Sequence, residues 1–336
     1  MLRYRSGCIA CINLQESFLM TFFAILVVLL IEQVQPLRAD NPVSAALRTL
    51  AHRMEVRFNA GQAQHGKMAW FATLAVLVVP TALIFWLCAS LGFLAEFAWT
   101  AIVAYLTLGF RHYSHYFTAI QIALSSGDEE AARKLLAEWT RQDTSLLNSS
   151  ELSRIAVETA LLTTHRNVFG VFFWLLLPVG PAFAVMYRVA EYLARAWNEP
   201  EHLKNESFGH FATRAFYWID WIPSRLTAIA FAIVGNFEDA IFAWRNFAYR
   251  WADEATGVIL SAGGGALGVR LGTPAVSAAS MLPADASLVD STLEAEAPPG
   301  DAPQPRTLQS TVGLVWRALL LWMLLLLLIS IAHWVG

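Results

Sequence analysis

Between Phe216 and Phe237 the chain is aromatic and aliphatic except for a few polar residues, chief among them Asp220 and Arg225, which flank Pro223. Ionisable side chains are costly in an apolar run, so they pair with each other or serve a ligand. That leaves two readings, a salt bridge holding a broken helix or a charged contact for substrate. Further on, Gly263-Gly264-Gly265-Ala266-Leu267-Gly268 precedes Arg270. Successive glycine N–H groups can form a nest for phosphate, to which an arginine adds a charge-assisted contact. The plainer reading is close helix packing or a hinge, and without a full G-x-x-x-x-G-K-[ST] the segment is not a P-loop. Glu158 reads as a catalytic acid or, more plainly, as an interfacial helix residue.

Other candidates are weaker. His112, His115 and His165 do not make a metal set, because the first two fall at i and i+3 and no acid accompanies them at a fixed spacing. They are expected to be solvated interfacial residues, and no metal site is expected. Cys8-Ile-Ala-Cys11 has a redox or zinc spacing, but no second pair follows and the third cysteine, Cys88, leaves an odd count. A disulfide framework is not indicated.

The elements that must position these residues are helices in a bilayer. Of 336 residues, 57% are hydrophobic and only 15% charged, and the 13 Trp and 21 Phe exceed what one aqueous core of this size would bury. A net charge of -3 with no basic tract argues against a nucleic-acid partner. The fold class expected is all-α, a polytopic helical membrane protein with broken or re-entrant helices. It is placed in the plasma (inner) membrane as a multi-pass protein.

Along the chain, residues 1–19 read as a start-site overcall ahead of Met20, and 20–67 as a first span with a polar loop. Met68 to Phe110 carries one acid, Glu96, and no base, so 68–110 is two transmembrane helices joined by a tight turn near Ser90 and Gly92, the first kinked at Pro80. The core, 111–272, opens with a membrane-flanking helical pair. There Asp128 caps a helix, Glu129 and Glu130 reach Arg133 and Lys134, and Ala131, Leu135 and Trp139 share the buried face. Membrane segments follow near 168–187, interrupted by Pro178, Gly180 and Pro181, and near 216–237. A Pro-, Ala-, Ser- and acid-rich stretch at 273–306 reads as a disordered linker, and 307–336 as a C-terminal transmembrane helix.

Several stretches together resemble the CobD/CbiB family of cobalamin-biosynthesis membrane proteins. Gly127-Asp128 through Ala131-Ala132-Arg133 to Asp143-Thr144 is similar to its G-D-x-x-x-A-R and R-D-T, and Glu158-Thr159 to its E-[ST]. Phe208-Gly209, Arg214 and Ile222-Pro223-Ser224-Arg225-Leu226-Thr227-Ala228 resemble its F-G, A-R and I-P-A-R-L-T-A, and Gly265 to Gly272 its G-A-L-G-V-R-L-G. The pattern departs at polar positions. Leu162-Thr163-Thr164-His165-Arg166-Asn167 stands for E-N-x-x-D-G, Phe216-Tyr217 for paired acids, Ala194 for an acid, and Asp253-Glu254-Ala255 for S-P-N.

The resemblance implies an amide-forming step that attaches aminopropanol to the corrin ring, in the adenosylcobinamide-phosphate synthase lineage, with ATP and magnesium as cofactors if ligase activity is retained. Activation of a carboxylate by ATP needs acids for magnesium and bases for phosphate. This chain keeps mainly the bases, which implies a diverged member. Arg111-His112-Tyr113, Asp220-Trp221-Ile222-Pro223 and Ile233-Val234-Gly235 also resemble the AmpE-like membrane proteins, so a sensor is the alternative. Glu158, Arg214, Asp220, Arg225, Gly265, Gly268 and Arg270 are the candidate substrate-binding residues. The partners expected are the lipid bilayer and a corrinoid or other anionic small molecule.

Overall fold

A computed structural model of the chain describes residues 3–34, 42–58, 63–198, 206–272 and 300–335. Among them every element is helical, apart from one isolated β-bridge between Val269 and Asp301. Thirteen α-helices are described: α1 Arg3–Val34, α2 Pro42–Phe58, α3 Ala63–Leu91, α4 Phe93–Thr107, α5 Phe110–Ser125, α6 Glu129–Thr140, α7 Ser149–Thr164, α8 Gly170–Leu175, α9 Gly180–Ala196, α10 Glu206–Val234, α11 Phe237–Phe247, α12 Glu254–Leu267 and α13 Pro305–Val335. A π turn, His165–Phe169, joins α7 to α8.

The chain divides into two compact units. The first comprises residues up to His112, Arg166–Pro223 and the end from Trp322. Here α3 packs on α2, α4 and α9, and α4 on α1 and α9. Its core gathers Trp70, Leu74, Val189, Leu193, Trp197 and Phe208. The α3–α4 hairpin turns at Gly92, whose φ of 120° is open to a residue without Cβ and strained for others. Pro80 lies inside a helix that continues past it.

The break expected near Pro178 is present. The helix α8 stops at Leu175, Val179 takes a left-handed conformation with φ 61°, and α9 restarts on Gly180 and Pro181. Pro178 has no N–H to continue the ladder. A Cβ on Gly180 would run into the Leu175 carbonyl, so the tight return needs glycine there.

In the second unit, Tyr113–His165 and Ser224–Leu321, α12 packs on α11 and α7, and α6 on α7. The α6 cap is as expected, with the Asp128 side chain accepting from Ala131 N at 2.9 Å. Asn148 and Glu151 form a reciprocal capping box at the start of α7.

Several expectations are corrected. The segment 42–58, expected within a polar loop, is a helix whose Ala51 is buried, because its apolar residues recur at helical spacing. Three helices, not a pair, occupy 110–164. The buried face of α6 centres on Ala132 and Leu136, one residue round from the expected stripe, while Trp139 flanks it with its ring beside those of Tyr116 and Phe117. The helix α10 runs unbroken through Pro223, as a single proline can where neighbouring groups meet the backbone carbonyl it frees. Of the expected linker, 273–299 lies outside the described residues, whereas Gly300 to Arg306 is bound to the second unit. The side chains of Cys8, Cys11 and His112, and residues 1 and 2, also lie outside them.

Candidate functional site

The seven candidates divide between the units, with Arg214 and Asp220 in the first and Glu158, Arg225, Gly265, Gly268 and Arg270 in the second. In the second, the charged groups lie on α7, α10, α12 and the chain just past α12, and their partners decide what they can do. Glu158 Oε1 accepts from Arg154 Nη1 at 3.0 Å and from the backbone N of Gly272 at 2.6 Å. It thereby ties α7 to the chain leaving α12. Arg225 on α10 is ion-paired with Glu254 at the start of α12.

The glycine run is helical. Gly263, Gly264 and Gly265 lie inside α12, where their N–H groups belong to the helix ladder, and Gly268 ends it with φ 68°. A Cβ on Gly265 would stand 2.7 Å from Ala240 Cα, and one on Gly263 2.7 Å from a methyl of Leu161. Both distances are shorter than real contacts, so these glycines let α11 and α7 approach the α12 backbone. Arg270 is also engaged, its Nε donating to Gly300 O at 2.6 Å and its backbone N to Asp301 O at 2.9 Å. These residues serve packing and tethering rather than a phosphate nest.

His165 contradicts the expectation of a solvated histidine. It is fully buried at the head of the π turn, with Nδ1 2.9 Å from Thr227 Oγ1. Polar groups that close in a dry interior must be matched to each other, which no local spacing in the sequence reveals.

In the first unit, Asp220 is 2% exposed and accepts from the Tyr187 hydroxyl at 2.9 Å. Gly170 makes room for that hydroxyl, because a Cβ there would collide with it. Arg214 is exposed on α10, with no hydrogen bond or ion pair among the described residues. Sequence reasoning missed the charged face beside this pair. Arg188, Glu191 and Arg195 fall at i, i+3 and i+7 on α9, a spacing that was available to read. Glu191 holds both arginines, with Oε2 3.5 Å from Arg188 and Oε1 3.6 Å from Arg195.

The residues that carry the motif likeness are structural as well. Arg133 donates from Nε to Leu147 O at 2.8 Å and pairs with Glu129 at 2.7 Å, while buried Thr144 donates to Arg133 O at 2.7 Å. The family model described as CobD/Cbib protein matches residues 21–297. The chain belongs to the CobD/CbiB family. It is 32% identical over 317 residues to the cobalamin biosynthesis protein CobD of Stutzerimonas stutzeri, covering 91% of this chain and 97% of that one. The CobD of Chromobacterium violaceum is 32% identical over 204 residues, 60% of this chain and 64% of its own. That of Mycobacterium tuberculosis is 30% identical over 182 residues, 52% of this chain and 57% of its own. No solved structure matches.

For a CobD/CbiB protein the departures now have locations. Arg166 and Asn167 lie in the π turn, and Ala194 adjoins Arg195. Asp253 caps α12 by accepting from Thr256 N at 3.2 Å, and Glu254 holds Arg225. A magnesium nucleotide would need acids free to ligate the ion and a donor cradle for phosphate. Among the described residues no three His, Cys, Asp or Glu side chains stand close enough to hold a metal ion. Glu158 and Glu254 are bound by arginines, and the glycine N–H groups are used within α12. The described residues do not fit that group, and no step is derived through it.

Proposed function

We propose that this CobD/CbiB protein is embedded in the inner membrane and acts in cobalamin biosynthesis, at the amide linkage of aminopropanol to the corrin ring. The observation that carries the reading is the match to a cobalamin biosynthesis protein along 97% of that protein's length. Over such a span the likeness includes every helix that positions the candidate residues, not one shared motif.

The membrane part rests on surface chemistry. Two helices, Gln64–Leu91 and Pro305–Ala332, are long and apolar enough to cross a bilayer. On the first, Leu83, Trp86, Leu87 and Leu91 stay exposed, a face that lipid would cover. Within the first unit, exposed Arg214 is the candidate we assign to substrate, with Asp220 buried against the Tyr187 hydroxyl. A corrinoid or other anionic molecule is the ligand class, with Arg214 available as a fork for carboxylate or phosphate.

A second reading, a diverged AmpE-like sensor, is favoured by one observation. The carboxylates of Glu158 and Glu254 hold arginines in place instead of standing ready for chemistry. Complementation separates the two. In a strain lacking its own family member and forced to make cobalamin, this chain should restore growth without added vitamin. No growth despite normal accumulation in the membrane overturns the biosynthetic reading, and altered β-lactamase induction on deletion would then favour the sensor. Arg214→Lys, which keeps the charge and removes the fork, should complement poorly; full growth would remove Arg214 from the site.

A further inference from the structure

We infer that the Arg188, Glu191 and Arg195 face of α9, together with Arg166 of the π turn, is a binding site for a phosphate-bearing anion. All four residues belong to the first unit. Glu191 is 7% exposed and divides its two oxygens between Arg188 and Arg195. Each guanidinium carries five N–H donors in a rigid fork, so one carboxylate contact leaves most of them available. Glu191 therefore orients two forks side by side without neutralising them.

The third cation is held against this pair by its own backbone. Arg188 Nη1 lies 3.5 Å from Arg166 O, which brings the π turn against this face. Arg166 is half-buried, and its side chain has no hydrogen bond or ion pair among the described residues. Three arginines against two acids, Glu191 and Asp220, leave a local excess of one positive charge. Asp220 is buried and accepts from the hydroxyl of Tyr187, the residue next to Arg188.

Access is graded across the face. The Arg188 side chain is 30% exposed and that of Arg195 60%, while Arg195 also lies over the Tyr192 ring with 5.8 Å from Cζ to centroid. A ligand can reach the forks of Arg195 and Arg188 from solvent. Two arginines gathered on one carboxylate match the several oxygens of a phosphate better than a single arginine does. The phosphate could belong to a lipid headgroup or to a free solute, and the test distinguishes them.

Inorganic pyrophosphate titrated calorimetrically into the full chain, in nanodiscs of phosphatidylcholine, should show saturable binding. Arg166→Gln and Arg188→Lys should each weaken it roughly tenfold or more. Arg195→Lys, at the most exposed position, guards against a folding failure and should weaken it too. Lys134→Gln, exposed on α6, should leave it unchanged. If phosphatidylglycerol in the nanodisc abolishes binding, the occupant is a lipid headgroup; if it does not, a free phosphate-bearing solute. Absence of saturable binding in phosphatidylcholine, or equal weakening by all four substitutions, overturns the site. This readout needs no cobalamin chemistry, so its failure is separate from a failure to complement.

Discussion

The glycine-rich end of α12 and the arginine face of α9 hold similar residue types in opposite conditions. Around α12, Arg225 is paired with Glu254, Arg270 is bound to Gly300 O, and Arg154 to Glu158. On α9, Arg188 and Arg195 share Glu191, and Arg166 of the π turn has no side-chain hydrogen bond or ion pair among the described residues. Arginines whose contacts join two elements, as those of Arg225 and Arg270 do, tether the fold. Those in excess of their acids leave a field for a ligand. Residue type alone does not separate these outcomes; the element that each guanidinium is bound to does.

The largest test of this contrast is Gly265→Ala, which should lower stability by about 3 kcal/mol, read from denaturant unfolding in detergent, because the added Cβ must displace backbone of α11. A change within experimental error would show that α12 is not packed as tightly as its glycines imply. Asp220→Ala should cost about 2 kcal/mol by leaving the buried Tyr187 hydroxyl without this acceptor, and Tyr187→Phe in the same background should recover much of it. No recovery would assign the loss to something other than this bond.

The arginines give the direct comparison. Arg225→Gln should destabilise by about 1 kcal/mol, a value reduced by the partial exposure of the pair. Arg166→Gln should stay within about 0.5 kcal/mol of the parent, since no ion pair is lost. Equal losses for both would erase the distinction between tethering and ligand-facing arginines.

The smallest effect concerns Asp143, which accepts from Ser145 N at 3.0 Å, a bond that holds its carboxyl below the usual range. A lowered folded-state pKa contributes stability above the unfolded carboxylate range and loses it as pH falls through the lowered value. Asp143→Asn should flatten the acid limb of stability slightly in that window. An unchanged pH profile would show that the loop bond is not felt globally.

What could be read from the residues is what depends on neighbours close along the chain. The Gly92 turn, the stop at Pro178 and the Asp128 cap each follow from a missing Cβ, a missing N–H or an oxygen three residues from its donor. Likewise the motifs around Arg133, Arg225 and Gly265 were enough to indicate the family. Partners distant in sequence were not legible. Glu158 meets Gly272, His165 meets Thr227 and Arg225 meets Glu254 because helices pack, and many acceptors were open to each donor before packing chose one. The α9 face lay between these cases, its spacing written in the sequence but its meaning dependent on the π turn that brings the Arg166 backbone against Arg188.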